Sequence, residues 1–74
     1  MKIKMKTVTY LEQDFEVPEW AKFIAADPDG TVDVYETMPT WSYDFLYWFW
    51  VNGNTECVGQ FEKQMPYMPP ILAI

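Results

Sequence analysis

Residues 43–51 read Tyr-Asp-Phe-Leu-Tyr-Trp-Phe-Trp-Val, with seven consecutive apolar or aromatic side chains from Phe45 to Val51 and the turn pair Asn52-Gly53 directly after. On an extended strand, Phe45, Tyr47, Phe49 and Val51 share one side and Leu46, Trp48 and Trp50 the other, because side chains alternate across a sheet. Both sides are then large and apolar, unlike a simple antiparallel sheet with one wet face. Two arrangements satisfy this pattern. The rest of the chain wraps both sides of a central strand, or one side stays open as a docking surface of the aromatic kind that dominates interface energies. The wrapping is limited by the chain's 74 residues, since a domain near this size buries only ~60% of its unfolded surface. The run is also too short to span a bilayer, which takes ~20 apolar residues in a helix, so no membrane association is expected.

Around this run the chain alternates and turns. Lys2, Lys4 and Lys6 lie on one side of a period-two segment with Ile3, Met5 and Thr7 on the other, a half-buried strand whose lysines guard an edge. No apolar run follows those lysines, so they do not read as a signal peptide. Glu12, Asp14 and Glu16 keep the same spacing toward Pro18, as a continued strand or a loop. A strand from about Lys22 to Ala26 ends at Asp27-Pro28-Asp29-Gly30, a turn in which Gly30 takes the positive φ. Thr31–Glu36 alternates again, and Pro39 breaks the pattern. Asn52-Gly53 predicts a hairpin that returns Thr55–Phe61 against the aromatic strand. Cys57 would then share a side with Gly59 and Phe61 and read as a small buried hydrophobe. Three prolines fall among the last ten residues, and proline suits neither an interior strand nor a helix. The expected fold is therefore mainly β: a small antiparallel meander of four to five short strands with little or no helix over residues 1–64, then a proline-rich extended tail at 65–74.

Catalytic chemistry finds little to work with. The chain has one cysteine and no histidine, which excludes an internal disulfide, the usual base for a thiol nucleophile and most zinc ligand sets. Gly30, Gly53 and Gly59 are isolated and make no phosphate-gripping loop. Asp27, Asp29, Gly30, Val32, Asp33 and Glu36 fall at the third, fifth, sixth, eighth, ninth and twelfth positions of a calcium loop. Ala25 fails the first position, and Thr37-Met38-Pro39 offers no exiting helix, so the segment reads as a β-turn with acids. No catalytic residue, cofactor or metal is assigned, and the expected mode of action is association rather than catalysis.

Charge narrows the partner. Residues 7–62 hold all eleven acids and only Lys22, a net of −10 within a chain total of −6. Such a body repels nucleic-acid backbones, whose binding rests on lysine and arginine contacts, and direct nucleic-acid binding is not expected. It attracts basic protein surfaces and speeds encounter with them. Two acidic groups stand out: Glu12, Asp14, Glu16 and Glu19, and Asp27, Asp29, Asp33 and Glu36. Either could dock on a basic groove by imitating phosphate spacing, or serve solubility alone. With the aromatic residues Trp41, Tyr43, Tyr47, Trp48 and Trp50 they are the candidate partner-binding residues. The partner is a protein with a basic or aromatic-accepting surface, or a second copy of the chain in a homo-oligomer.

Residues 17–41, Val-Pro-Glu-Trp-Ala through Thr-Trp, resemble small uncharacterised acidic proteins encoded by tailed bacteriophages. The likeness lies in Trp20-Ala21, in Ile24, Ala25, Asp27, Asp29 and Gly30, and in Tyr35-Glu36 with Pro39 nearby; Asn52-Gly53 onward is comparable to a later turn and strand in that family. The resemblance implies an accessory protein of the host cytoplasm that inhibits a host defence or nucleic-acid-processing protein. The alternative is a structural or self-assembling virion component. It implies no catalytic or ligand residues.

Overall fold

A computed structural model of the chain describes residues 4–62, 65 and 68–74. The fold is mainly β, antiparallel throughout and without helix among the described residues, as expected. The described residues form eight short strands rather than four or five: β1 (Met5–Tyr10), β2 (Gln13–Pro18), β3 (Phe23–Ala26), β4 (Thr31–Tyr35), β5 (Thr40–Ser42), β6 (Tyr47–Phe49), β7 (Thr55–Gln60) and β8 (Ile71–Ala73). Their order is not a plain meander. A central sheet runs β7-β4-β3-β8, and β1-β2 and β5-β6 form separate hairpins.

The β3–β4 hairpin is built by its turn. Gly30 sits at φ 95°, its N–H donates to the Asp27 carbonyl (2.8 Å), and the Asp29 carboxylate accepts from the Thr31 N–H (2.9 Å). Alternation then gives the sheet two apolar faces. Ile24 and Ala26 of β3 with Val32 and Val34 of β4 join Tyr10, Phe15, Val17, Ala21, Phe61 and Met65 in the larger core. Ala25 and Tyr35, one residue out of phase, join Trp41 and Trp48 in a smaller one, with Phe23 and Ile71 packed alongside. The β1–β2 hairpin therefore covers one face of the sheet and β5–β6 the other.

The β1–β2 turn carries no glycine. Leu11 and Glu12 both take positive φ, 50° and 67°, the geometry of a two-residue hairpin matched to strand twist. The strain, of order 1–3 kcal/mol per residue, is borne by Tyr10, Phe15 and Val17, which this hairpin buries.

Three expectations are corrected here. Thr55–Gln60 does not pair with the aromatic segment but with β4, from Thr31↔Gln60 to Tyr35↔Thr55. The Asn52-Gly53 pair closes no two-residue hairpin, because residues 52–54 are held to the end of β4. Glu36 N–H donates to the Asn54 carbonyl (2.9 Å), the Glu36 carboxylate accepts from Asn54 N–H (3.0 Å), and Thr37 Oγ1 donates to the Asn52 carbonyl (2.7 Å). Cys57 is exposed. The β4–β7 register shifts between Val32 and Asp33, so Asp33 faces Cys57 while Val32 faces Gly59. That bulge breaks the alternation and puts Gly59 on the larger core, where a Cβ would lie 2.9 Å from Phe15 Cε1.

Within residues 65–74, Ile71–Ala73 is a strand of the central sheet, pairing antiparallel with β3 as Phe23↔Ala73, Ile24↔Leu72 and Ala25↔Ile71. The ladder ends at Pro70, and Tyr10 finishes it. Ala26 N–H donates to the Tyr10 hydroxyl (3.0 Å), which donates onward to the Pro70 carbonyl. The phenol thus occupies the next rung, where proline has no N–H to give.

Candidate functional site

The most distinctive surface is the outer side of β5–β6. Tyr43–Leu46 is not strand, as the extended reading required, but the turn of this hairpin: Leu46 N–H donates to the Ser42 carbonyl (2.9 Å), Phe45 N–H to Ser42 Oγ (3.2 Å), and Leu46 sits at φ 57°. Leu46 takes the left-handed backbone that glycine or asparagine takes in a commoner turn, and Ser42 Oγ caps the turn from its start. The strands on either side place Trp41 opposite Trp48, Thr40 opposite Phe49 and Ser42 opposite Tyr47.

Alternation then separates the aromatic residues. Trp41 and Trp48 turn inward and meet edge-on, ring centroids 5.3 Å apart at 67°, each 7% exposed. As docking residues both are therefore corrected: they anchor the hairpin to the sheet. Trp48 is fixed twice more, its backbone N–H donating to Asp27 Oδ1 (2.8 Å) and its indole Nε1 to the Pro69 carbonyl (3.3 Å). Phe45, Tyr47 and Phe49 turn outward in a row, with centroids 6.2 and 6.1 Å apart. Phe45 is 74% exposed, Tyr43 69%, and Phe49, Trp50 and Val51 50% each. Trp50 Nε1 donates to the Gly53 carbonyl (3.0 Å), which fixes the indole beside the row. Successive rings tilt by 48° and 40°, so they make an uneven apolar ridge rather than a flat shelf for a planar ligand. Phe45 and Phe49 are not among the candidate partner-binding residues named from the sequence, although their spacing from Tyr47 carried the signal.

Two members of the second acidic group, Asp27 and Asp33, lie on the same side of the sheet as this hairpin. Asp27 holds the Trp48 backbone, and burial, partly offset by that N–H, raises its carboxyl above the ordinary value. Asp33 shares the smaller-core side with Ala25 and Tyr35; burial first, and Asp27 second, push its carboxyl up to about 6, with the Cys57 thiol acting in the other direction. Asp29 is exposed in its turn, and Glu36 grips Asn54 next to the Trp50 loop. The calcium-loop alignment is not realised as a cage. Asp27 and Asp29 each accept a backbone N–H, Thr31–Tyr35 is a strand, and among the described residues no group of three or more metal-ligating side chains converges.

The first acidic group is elsewhere. Asp14 and Glu16 stand outward on β2, accepting from Thr9 Oγ1 (2.6 Å) and Thr7 Oγ1; Glu12 is in the turn and Glu19 just beyond Pro18, both exposed. Because β1–β2 covers the opposite face, these acids and the aromatic ridge do not form one surface.

What the fold and this surface define is a small, mainly β domain with an exposed aromatic ridge on one of its covering hairpins. Compared with models of protein families, with curated proteins and with solved structures, the chain matches none. No helix among the described residues is long and apolar enough to cross a membrane.

Proposed function

We propose that this protein acts by stoichiometric, non-catalytic binding to another protein, seating the β5–β6 ridge in an apolar recess with a basic rim. The observation that carries the reading is the run of exposed side chains Tyr43, Phe45, Leu46, Phe49, Trp50 and Val51. Contiguous apolar surface of this kind marks interaction sites on small soluble proteins, and desolvated aromatics supply most of the energy at such interfaces. Asp27 and Asp33 on the same side of the sheet, with the chain's net negative charge, favour a basic partner and raise the encounter rate. The acids of β2 give the opposite face its own, purely electrostatic mode of docking on a basic groove. The likeness of residues 17–41 to small phage proteins supports a host defence or nucleic-acid-processing protein as the target, reached in the host cytoplasm.

The test is capture from host lysate with the wild-type chain and with Phe45→Ser/Phe49→Ser, over about 50 to about 500 mM salt. One protein retained at equal stoichiometry by wild type and lost with the variant supports the reading. Retention indifferent to the variant sinks the ridge as the binding surface. Self-association alone, abolished by the variant, favours the self-assembling alternative.

A further inference from the structure

The geometry points to the groove beside β3 as an acceptor site for an extended Pro-Pro-aliphatic strand, filled here by Met68–Ile74 of the same chain and able to take that segment from a second copy. Every described attachment of the segment runs to this groove. β8 pairs with β3 over three residues, and Ile74 N–H donates to the Lys22 carbonyl (2.8 Å). Trp48 Nε1 and the Tyr10 hydroxyl take the Pro69 and Pro70 carbonyls. Those two donors come from opposite faces of the sheet, one from each covering hairpin. An aromatic N–H and O–H aimed at consecutive proline carbonyls is a recognition geometry for extended proline-rich chain. The carbonyls cannot satisfy each other, and a diproline has few conformations to lose on docking.

The second copy follows from how the segment is held. Pro69 is buried, but Leu72 is 42% exposed, Ala73 is exposed, and Ile71 and Ile74 are half-buried. The strand is thus secured by its backbone and two carbonyls more than by buried side chains, the profile of an edge element that opens locally. Upstream, the chain is tied back to the β3–β4 turn, Phe61 N–H donating to Gly30 O (2.8 Å) and Met65 N–H to Pro28 O (3.2 Å). The contacts the segment makes with the groove are the same in either copy, which is what lets neighbouring copies exchange an edge element. The segment carries no charged side chain, so exchange brings no new like charges into the groove. This interface leaves the β5–β6 ridge free and stands or falls separately from it.

The test mixes two single-cysteine proteins in a Cys57→Ser background, Phe23→Cys and Ala73→Cys. Positions 23 and 73 face each other across the β3–β8 ladder, and neither protein can crosslink within itself. After incubation together at millimolar concentration and mild oxidation, exchange predicts a mixed disulfide several-fold above either homodimer on a non-reducing gel. Leu72→Cys, whose side chain points to the other face, should give no such excess with Phe23→Cys. A mixed product at the level of random collision overturns the proposal. Should Phe23→Cys fail to fold, Lys22→Cys with Ile74→Cys and a short bismaleimide reads the adjacent rung with the same two outcomes.

Discussion

Removing one oxygen should have a large effect on this domain. Tyr10→Phe keeps the ring in place against Phe15 and Phe61, with centroids at 6.4 and 6.1 Å, and deletes only the hydroxyl that bridges Ala26 N–H to the Pro70 carbonyl. Ala26 is 0% exposed, so its N–H has no water to turn to, and an unsatisfied buried donor costs ~1–3 kcal/mol. Losing the bond to Pro70 adds ~0.5–1.5 kcal/mol, less a little because phenyl is more apolar than phenol. The expected loss is about 2–3 kcal/mol. A chain of this length has a total stability of only ~4–11 kcal/mol, and each kcal/mol moves the melting point by ~4–8 °C in domains of 60–100 residues. Urea unfolding should therefore show a much lower midpoint at unchanged slope, with melting lower by about 10 °C or more. Thr9→Val, which removes the exposed bond to Asp14, is the control and should cost under about 0.5 kcal/mol. A Tyr10→Phe loss no larger than that control would refute the reasoning, since it would mean Ala26 closes its rung directly on Pro70.

Asp33 should make stability fall as pH rises. Its folded carboxyl sits at about 6, above the ordinary 3.8, so between those values the native state holds a proton that the unfolded chain has released, and stability drops through that window. Asp33→Asn should flatten the slope and stabilise the protein near neutral pH but not near pH ~4; equal unfolding midpoints for variant and wild type at neutral pH would contradict this. Gly59→Ala should cost about 1–3 kcal/mol by overpacking against Phe15, because its new Cβ would fall 2.9 Å from that buried ring; thermal melting reads it, and an unchanged midpoint would count against the close crossing. Trp48→Ala should lose about 3–5 kcal/mol, whereas Phe45→Ser should leave stability within about 0.5 kcal/mol; circular dichroism melts of the pair decide whether core and ridge are divided as described.

The β3–β4 hairpin was legible because Asp27-Pro28-Asp29-Gly30 supplies both the acceptor and the positive φ its turn needs. The β1–β2 hairpin was not, since Leu11 and Glu12 adopt left-handed backbone without any residue that advertises it. Asn52-Gly53 misled for the opposite reason: its local preference is strong, but Glu36 and Thr37 hold residues 52–54 against β4. In the aromatic run, alternation correctly put Phe45, Tyr47 and Phe49 on one side and Trp48 on the other. It could not foresee that residues 43–46 would turn on Ser42, which brings Trp41 back onto Trp48 and buries both. Cys57 went astray through a single unpaired residue in β7, and local pattern carries no sign of a bulge set by the facing strand. The role of Tyr10 depends on a partner sixty residues away, beyond the reach of any periodicity.

The sheet that serves two unequal cores divides the molecule into unequal cooperative units. The smaller one rests on the Trp41–Trp48 pair and its two anchors at Asp27 and Pro69, so it should open by a partial unfolding that leaves β1–β4 intact. Indole emission comes mostly from that side, because Trp41 and Trp48 lie within it and Trp50 beside it, while Trp20 alone packs with the larger core. Backbone amides of β5 and β6 should exchange with deuterium well ahead of those in β3 and β4, and fluorescence should report the melting of the ridge's support before circular dichroism reports the loss of the sheet.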